Sequence, residues 1–219
     1  MKPKLIIFDF DGTLADTTAT ILTTYRMTID ELGIPERSDA EYQATIGVPL
    51  REGFRQLYPD FTESEIDNCV DTYRRIFYAN KQLFIPELYP GVQDTLHQLA
   101  SLGIHMSVAS SRSNDSLIDF CNADGITRYF DLIIGADDVT HAKPDPEPVL
   151  ITLTKLGQYP DDTIVVGDMP VDIAMGRSAG CRTVGVTYGN SSRRDLINAG
   201  ASYIIDSMPE LISRVIFEQ

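Results

Sequence analysis

The sequence predicts an α/β protein: a parallel sheet covered by helices on both faces, interrupted near its start by an inserted all-helical unit. Three observations carry this expectation. Short apolar runs of strand length alternate with helix-period segments over residues 86–219. A single apolar run, Leu5-Ile6-Ile7-Phe8, stands at the start with no neighbouring strand to pair with, so it belongs to the later sheet. Between the two, residues 16–85 keep helical spacing and offer no convincing strand.

The first run passes into Asp9-Phe10-Asp11-Gly12-Thr13-Leu14. Strand alternation sets Asp9 and Asp11 on one face and Phe8 and Phe10 on the other. Two carboxylates so close repel, which suits a bound cation or a shared proton, and Gly12 permits a sharp turn beside them. Asp-Gly is also an ordinary turn dipeptide. A second apolar run, Thr163 to Val166, again ends in Gly167-Asp168 and is followed by Asp172, and this repetition favours function over chance.

After the first acidic turn, Ile21, Tyr25, Ile29 and Leu32 recur at helical spacing and Gly33 supplies a stop. Ser38 with Glu41, and Thr62 with Glu65, each fit a capping box that opens a helix. In the helix opened by Thr62, the residues Ile66, Cys69, Val70, Tyr73, Ile76 and Phe77 make one apolar face. Gly47-Val48-Pro49-Leu50-Arg51 interrupts this unit, and Phe84 to Gly91, with Pro86 and Pro90, closes it. Strands are expected at about 104–109, 132–135, 163–167 and 182–186, with a weaker one at 202–205. A further helix is capped by Asp145, begins at Pro146 and ends at Gly157. The result is a Rossmann-like sheet. Residues 1–15 and 86–219 form its core domain, and residues 16–85 form an inserted helical unit. Ligands of such open sheets bind beyond the carboxyl ends of the strands, so Asp9, Asp11 and Asp168 are expected to converge.

The net charge of -14 argues against nucleic acid or an anionic membrane as a partner. An anionic substrate must then be drawn in by local cations. The apolar run after Lys2 and Lys4 is too short for a secretory signal, and no run reaches the length of a membrane span. Cys69, Cys121 and Cys181 are odd in number and scattered, as expected of reduced core thiols in a cytoplasmic protein. His97, His105 and His141 show no metal-ligand spacing.

Two more strand ends add chemistry. Ser110-Ser111-Arg112 follows the run at 104–109, and Lys143 stands just before the helix that Asp145 opens. With Asp9 to Thr13 and Asp168 to Asp172, these motifs match in order and spacing those of the haloacid dehalogenase superfamily, which the chain resembles over essentially its whole length. The helical insertion at 16–85 looks like the small helical cap of this superfamily, and the tail from Gly185 to Asp206 looks most like phosphoglycolate phosphatases and their close relatives. The resemblance implies that Asp9 is a nucleophile that becomes an aspartyl phosphate, and that magnesium is held by Asp9, the carbonyl of Asp11 and Asp168. For Asp172, support of that metal and a helix-start role are both open. Asp11 would protonate the leaving alcohol and later activate water, which calls for a raised pKa in the free site and an ionised Asp9. Ser110 would bind the phosphoryl group and Lys143 would neutralise it, with Gly12, Thr13, Ser111 and Arg112 completing the substrate-binding set. Arg51, in the cap loop, fits either a contact to a substrate carboxylate or second phosphate, or a plain exposed arginine.

The implied activity is a magnesium-dependent phosphatase of small phosphate monoesters, with phosphoglycolate the expected substrate, in a monomer or weak dimer. A sugar phosphomutase, a pyrophosphatase and a nucleotidase are the alternatives on the same core. A receiver-like phospho-acceptor domain is a different class, disfavoured because receivers place the phosphorylated Asp on an internal strand of the sequence and lack the helical insertion.

Overall fold

The computed structural model describes residues 2–216. Its chain opens with β1 (Leu5–Phe8), then β2 (Ala15–Asp16), α1 (Thr18–Leu32), α2 (Asp39–Gln43), α3 (Leu50–Leu57), α4 (Glu63–Asn80) and β3 (Glu87–Leu88). From there helices and strands alternate: α5 (Val92–Ser101), β4 (His105–Ala109), α6 (Asn114–Ala123), β5 (Leu132–Ile134), α7 (Glu147–Leu156), β6 (Thr163–Gly167), α8 (Pro170–Ser178), β7 (Arg182–Val186), α9 (Arg193–Asn198) and β8 (Tyr203–Ile205). A π-helical segment, Leu211–Ile216, follows. No helix among the described residues is long and apolar enough to cross a membrane.

Six strands form one sheet in the order β5-β4-β1-β6-β7-β8, with every neighbouring pair parallel. Strand β1 is central, which explains its unbroken apolar run: both of its faces are covered. Ile6 and Phe8 join one core cluster with Val92, Leu96, Leu117 and Phe120. Leu5 and Ile7 join the opposite one with Val149, Val165 and Met175. The chain builds the sheet outward from β1 to both sides, so the topological switch, and the crevice it creates, lies at the end of β1.

Helices α1 to α4 pack around their own cluster, including Tyr25, Tyr42, Phe54 and Ile66. Both expected capping boxes form, with Ser38 and Thr62 accepting the amides of Glu41 and Glu65 at 3.3 Å. Gly33 stops α1 at a positive φ of 62°, which suits a residue without Cβ. The short strands β2 and β3 pair antiparallel, Ala15 opposite Leu88, and so tie the two ends of the inserted segment together.

The structure departs from expectation in three places. The apolar face of α4 is divided: Ile66, Cys69 and Val70 pack within the helical unit, whereas Phe77 packs into the sheet's core, 5.9 Å from the Phe120 ring. An 18-residue helix is about 27 Å long and outreaches the small unit that carries it. Helix α7 starts at Glu147, with Pro146 at its boundary; Asp145 still accepts the Glu147 amide, at 2.9 Å. The β2–β3 pair was not foreseen, because two-residue strands carry no periodicity.

Candidate active site

Asp9 is the first residue beyond β1 and is buried, its amide donating to the Val166 carbonyl at 2.9 Å. Strand pairing ends at Phe8, so alternation does not govern Asp11; the turn around Gly12 brings it to the same crevice. The loop before α7 delivers Lys143, whose Nζ donates to Asp9 and to Asp172, each at 2.6 Å. Asp172 also accepts the Met169 amide at 3.0 Å, so it closes the first turn of α8 while holding the lysine. Both roles left open for it are compatible with this position. Asp168 is the first residue beyond β6 and is held by Asn190, whose backbone and side-chain nitrogens donate at 2.7 and 2.9 Å, and by the Thr13 hydroxyl at 3.4 Å. Gly12 has a φ of 81°, and a Cβ there would come within 2.2 Å of the Asp168 carboxylate. Any side chain at this position would displace the acid.

On the β4 side, Ser110 is buried, its amide donating to the Ile134 carbonyl at 3.0 Å and its Oγ accepting the Arg112 amide at 3.2 Å. The Ser111 hydroxyl donates to the Gly47 carbonyl of the cap loop at 2.8 Å, linking sheet and helical unit. Arg112 grips Asp11 with Nη2 at 2.6 Å and Nε at 3.2 Å, and its guanidinium lies 4.9 Å from the Phe120 ring and 5.5 Å from that of Phe77. Arg51 lines the same cleft, but its guanidinium is paired with Glu63 and Asp67 of α4.

These contacts reverse the expected electrostatics of the two leading acids. Burial presses the Asp11 carboxyl upward, but the charge and hydrogen bonds of Arg112 outweigh it and hold Asp11 below the usual range. Asp9 is pushed well above that range by burial, which Lys143 opposes and the charges of Asp172, Asp168 and Asp11 reinforce. Asp168 is raised to about 7 by burial, with Asp172 adding to the effect. The sequence reading placed the raised pKa on Asp11; it missed the Arg112 partnership, which joins residues 101 apart.

Asp9, Asp168 and Asp172 each offer an oxygen within 4.8 Å of the others, and one ammonium, Lys143, faces the three carboxylates. The carboxylates outnumber the ammonium in this buried pocket, and a bound cation would favour their ionised forms against the burial that raises Asp9 and Asp168. This donor set fits a hard divalent cation such as magnesium and lacks the imidazole or thiolate that zinc favours. A second group, His141, Asp145 and Glu147, lies near the surface. Glu147 there accepts the Thr140 and His141 amides at 2.7 and 2.8 Å.

A family model described as haloacid dehalogenase-like hydrolase matches residues 6–186. The chain belongs to this family. The hydrolase is 36% identical over 214 residues to "Probable phosphatase IndB" of Dickeya dadantii, covering 97% of this chain and 93% of that one. It is 32% identical to pyrophosphatase PpaX of Oceanobacillus iheyensis, with 98% of both chains covered. A crystal structure described as a predicted phosphoglycolate phosphatase, from Haemophilus somnus, superposes with a TM-score of 0.86 at 26% identity, covering 98% of this chain and 99% of that one.

Two residues of the site escaped the sequence reading. Asn190 fixes Asp168, and the Tyr188 hydroxyl donates to the Thr13 carbonyl at 2.8 Å. Both follow β7, and a Gly-Asn turn at that strand end was the available signal.

Proposed function

We propose that this hydrolase releases inorganic phosphate from small phosphate esters through a phospho-Asp9 intermediate. Asp9 attacks phosphorus; its Oδ–P bond forms as the bond to the leaving oxygen breaks. Lys143, fixed between Asp9 and Asp172, offsets the negative charge that gathers where carboxylate and phosphoryl group meet. Ser110 and the amides after it face the phosphoryl oxygens. Asp11 serves the leaving oxygen and then the attacking water, which takes the phosphoryl group from Asp9 and restores the carboxylate. Its ion pair with Arg112 must open before Asp11 can carry a proton outward. Magnesium, held by Asp9, Asp168 and Asp172 with the Asp11 carbonyl, would neutralise phosphoryl oxygens when bound.

The observation that carries this reading is the buried Lys143 bridge between Asp9 and Asp172, with Asp168 beside it. Phosphoglycolate is the leading substrate. Pyrophosphate is the second reading, favoured by the PpaX relative and by Asp11 resting ionised, because a phosphate leaving group needs less protonation than an alcohol.

The test is phosphate release from phosphoglycolate, pyrophosphate, a hexose phosphate and a nucleotide, with and without magnesium, by the parent and by Asp9→Asn. The amide fills the same space but cannot attack, so the folded variant is expected to lose at least about a thousandfold in turnover. Retained turnover within tenfold would sink the nucleophile assignment.

A further inference from the structure

The cleft between the helical unit and the sheet has a volume of about 200 Å³ and reaches Asp11 at its inner end. Three arginines line it, Arg51, Arg74 and Arg112. Arg112 is committed to Asp11, and Arg51 to Glu63 and Asp67. Arg74 is different: among the described residues it has no carboxylate, hydrogen-bond acceptor or aromatic face as partner, although it is exposed to the cleft. Its neighbour Arg75 pairs with Glu31 of α1. Successive helical residues diverge by about 100°, so α4 sends one arginine into its own unit and the other into the cleft.

The surroundings of Arg74 set hydroxyl groups beside an apolar wall. Tyr78 stands one turn further along the same face, and its hydroxyl meets the Ser113 Oγ at 3.2 Å, beside the loop that follows β4. Tyr73 and Phe77 supply the apolar wall, again one turn apart. The chain as a whole carries a net charge of -14 and repels anions, so an unpaired guanidinium in the cleft is the local exception to that field. It also needs no ion pair broken before it can bind.

We propose that Arg74 is the specificity-determining residue that reads an anionic group, carboxylate or phosphate, on the leaving half of the substrate. The inference rests on the phosphatase reading: with phosphorus at Asp9, the leaving half extends past Asp11 into the cleft. Both substrate readings share this chemistry, since glycolate and phosphate are each anionic. Arg51, the cap-loop candidate, would have to surrender two carboxylates to do the same work.

The experiment measures kcat and KM for phosphoglycolate, pyrophosphate and phenyl phosphate, whose leaving group is uncharged, in the parent, Arg74→Ala, Arg74→Lys and Arg51→Ala. Arg74→Ala is expected to lose roughly ten- to a hundredfold in kcat/KM on whichever anionic substrate the parent prefers, mostly through KM, and far less on phenyl phosphate. Arg74→Lys recovers part of the loss, because a point charge still attracts the anion without the planar fork. The preferred anionic substrate tells carboxylate from phosphate. Equal losses on all three substrates, no loss on either anion, a loss confined to Arg51→Ala, or a parent that prefers phenyl phosphate each overturn the proposal while leaving the phosphatase reading intact. A parent that hydrolyses none of the three overturns this proposal, and one that also fails on a hexose phosphate and a nucleotide overturns the phosphatase reading with it.

Discussion

Replacing Lys143 by Met tests the electrostatic design of the site through stability as well as activity. The ammonium is buried and holds Asp9 and Asp172 at 2.6 Å each. Burial favours the neutral amine, but Asp172 and Asp9 outweigh it and keep the lysine charged. Methionine keeps the volume and removes the charge, leaving Asp9, Asp168 and Asp172 crowded in a buried pocket with no cation among them. Breaking a buried pair from one side costs about 3–5 kcal/mol. For a chain of this size each kcal/mol moves Tm by about 2–4 °C, so the loss corresponds to roughly 6–20 °C. The sign of the pH dependence follows from the carboxylates. Without Lys143 the folded pKa values of Asp9 and Asp168 rise further above the unfolded value of about 3.9, so the variant's stability falls as pH rises through the interval between the two. Urea denaturation in chelator should therefore show a small gap to the parent near pH 5 and the full gap near pH 8, with magnesium restoring part of it. A gap below about 1 kcal/mol at the higher pH, the scale of an exposed pair, or a gap that ignores pH, would refute the reasoning.

Gly12→Ala should damage the site locally. Its Cβ would meet the Asp168 carboxylate at 2.2 Å and the Asn190 amide at 2.4 Å, on a backbone with φ of 81°. Turnover is expected to fall at least about a hundredfold with a stability loss of about 1–3 kcal/mol; unchanged turnover and magnesium titration would show that Asp168 tolerates displacement. Asp124→Asn should stabilise the protein. Asp124 ends α6, where the helix dipole disfavours an anion; its Oδ2 is buried without a partner, and burial raises its pKa to about 6. Because this folded pKa exceeds the unfolded one, the parent loses stability as pH rises from about 4 to 6, and the neutral amide avoids that loss. The side chain is partly exposed, so the gain at neutral pH is held to about 1 kcal/mol, readable as a Tm rise of about 2–4 °C that vanishes below pH 4. An equal shift at both pH values would point to packing instead.

The sequence by itself determined the alternation of strands and helices, the helical insertion, both capping boxes, the strand ends that Asp9, Ser110 and Asp168 follow, and the turn and loop that carry Asp11 and Lys143. These features are local: periodicity is written over a few residues, and capping boxes join positions three apart, as Ser38 with Glu41 and Thr62 with Glu65. Which side chains pair was left to the tertiary structure. Lys143 reaches Asp9 across 134 residues of sequence, and Arg112 reaches Asp11 across 101. No local rule could tell that Arg112 would hold Asp11 ionised, that Asn190 would clamp Asp168, or that Arg51 would be paired while Arg74 stayed free in the cleft. The division of α4 between two cores has the same origin, because periodicity marks a face as apolar without saying what covers it. Chain topology brings the carboxyl ends of β1, β4, β6 and β7 to one edge, where burial and the charged partners met there together set the charge on Asp9, Asp11, Lys143 and Asp168.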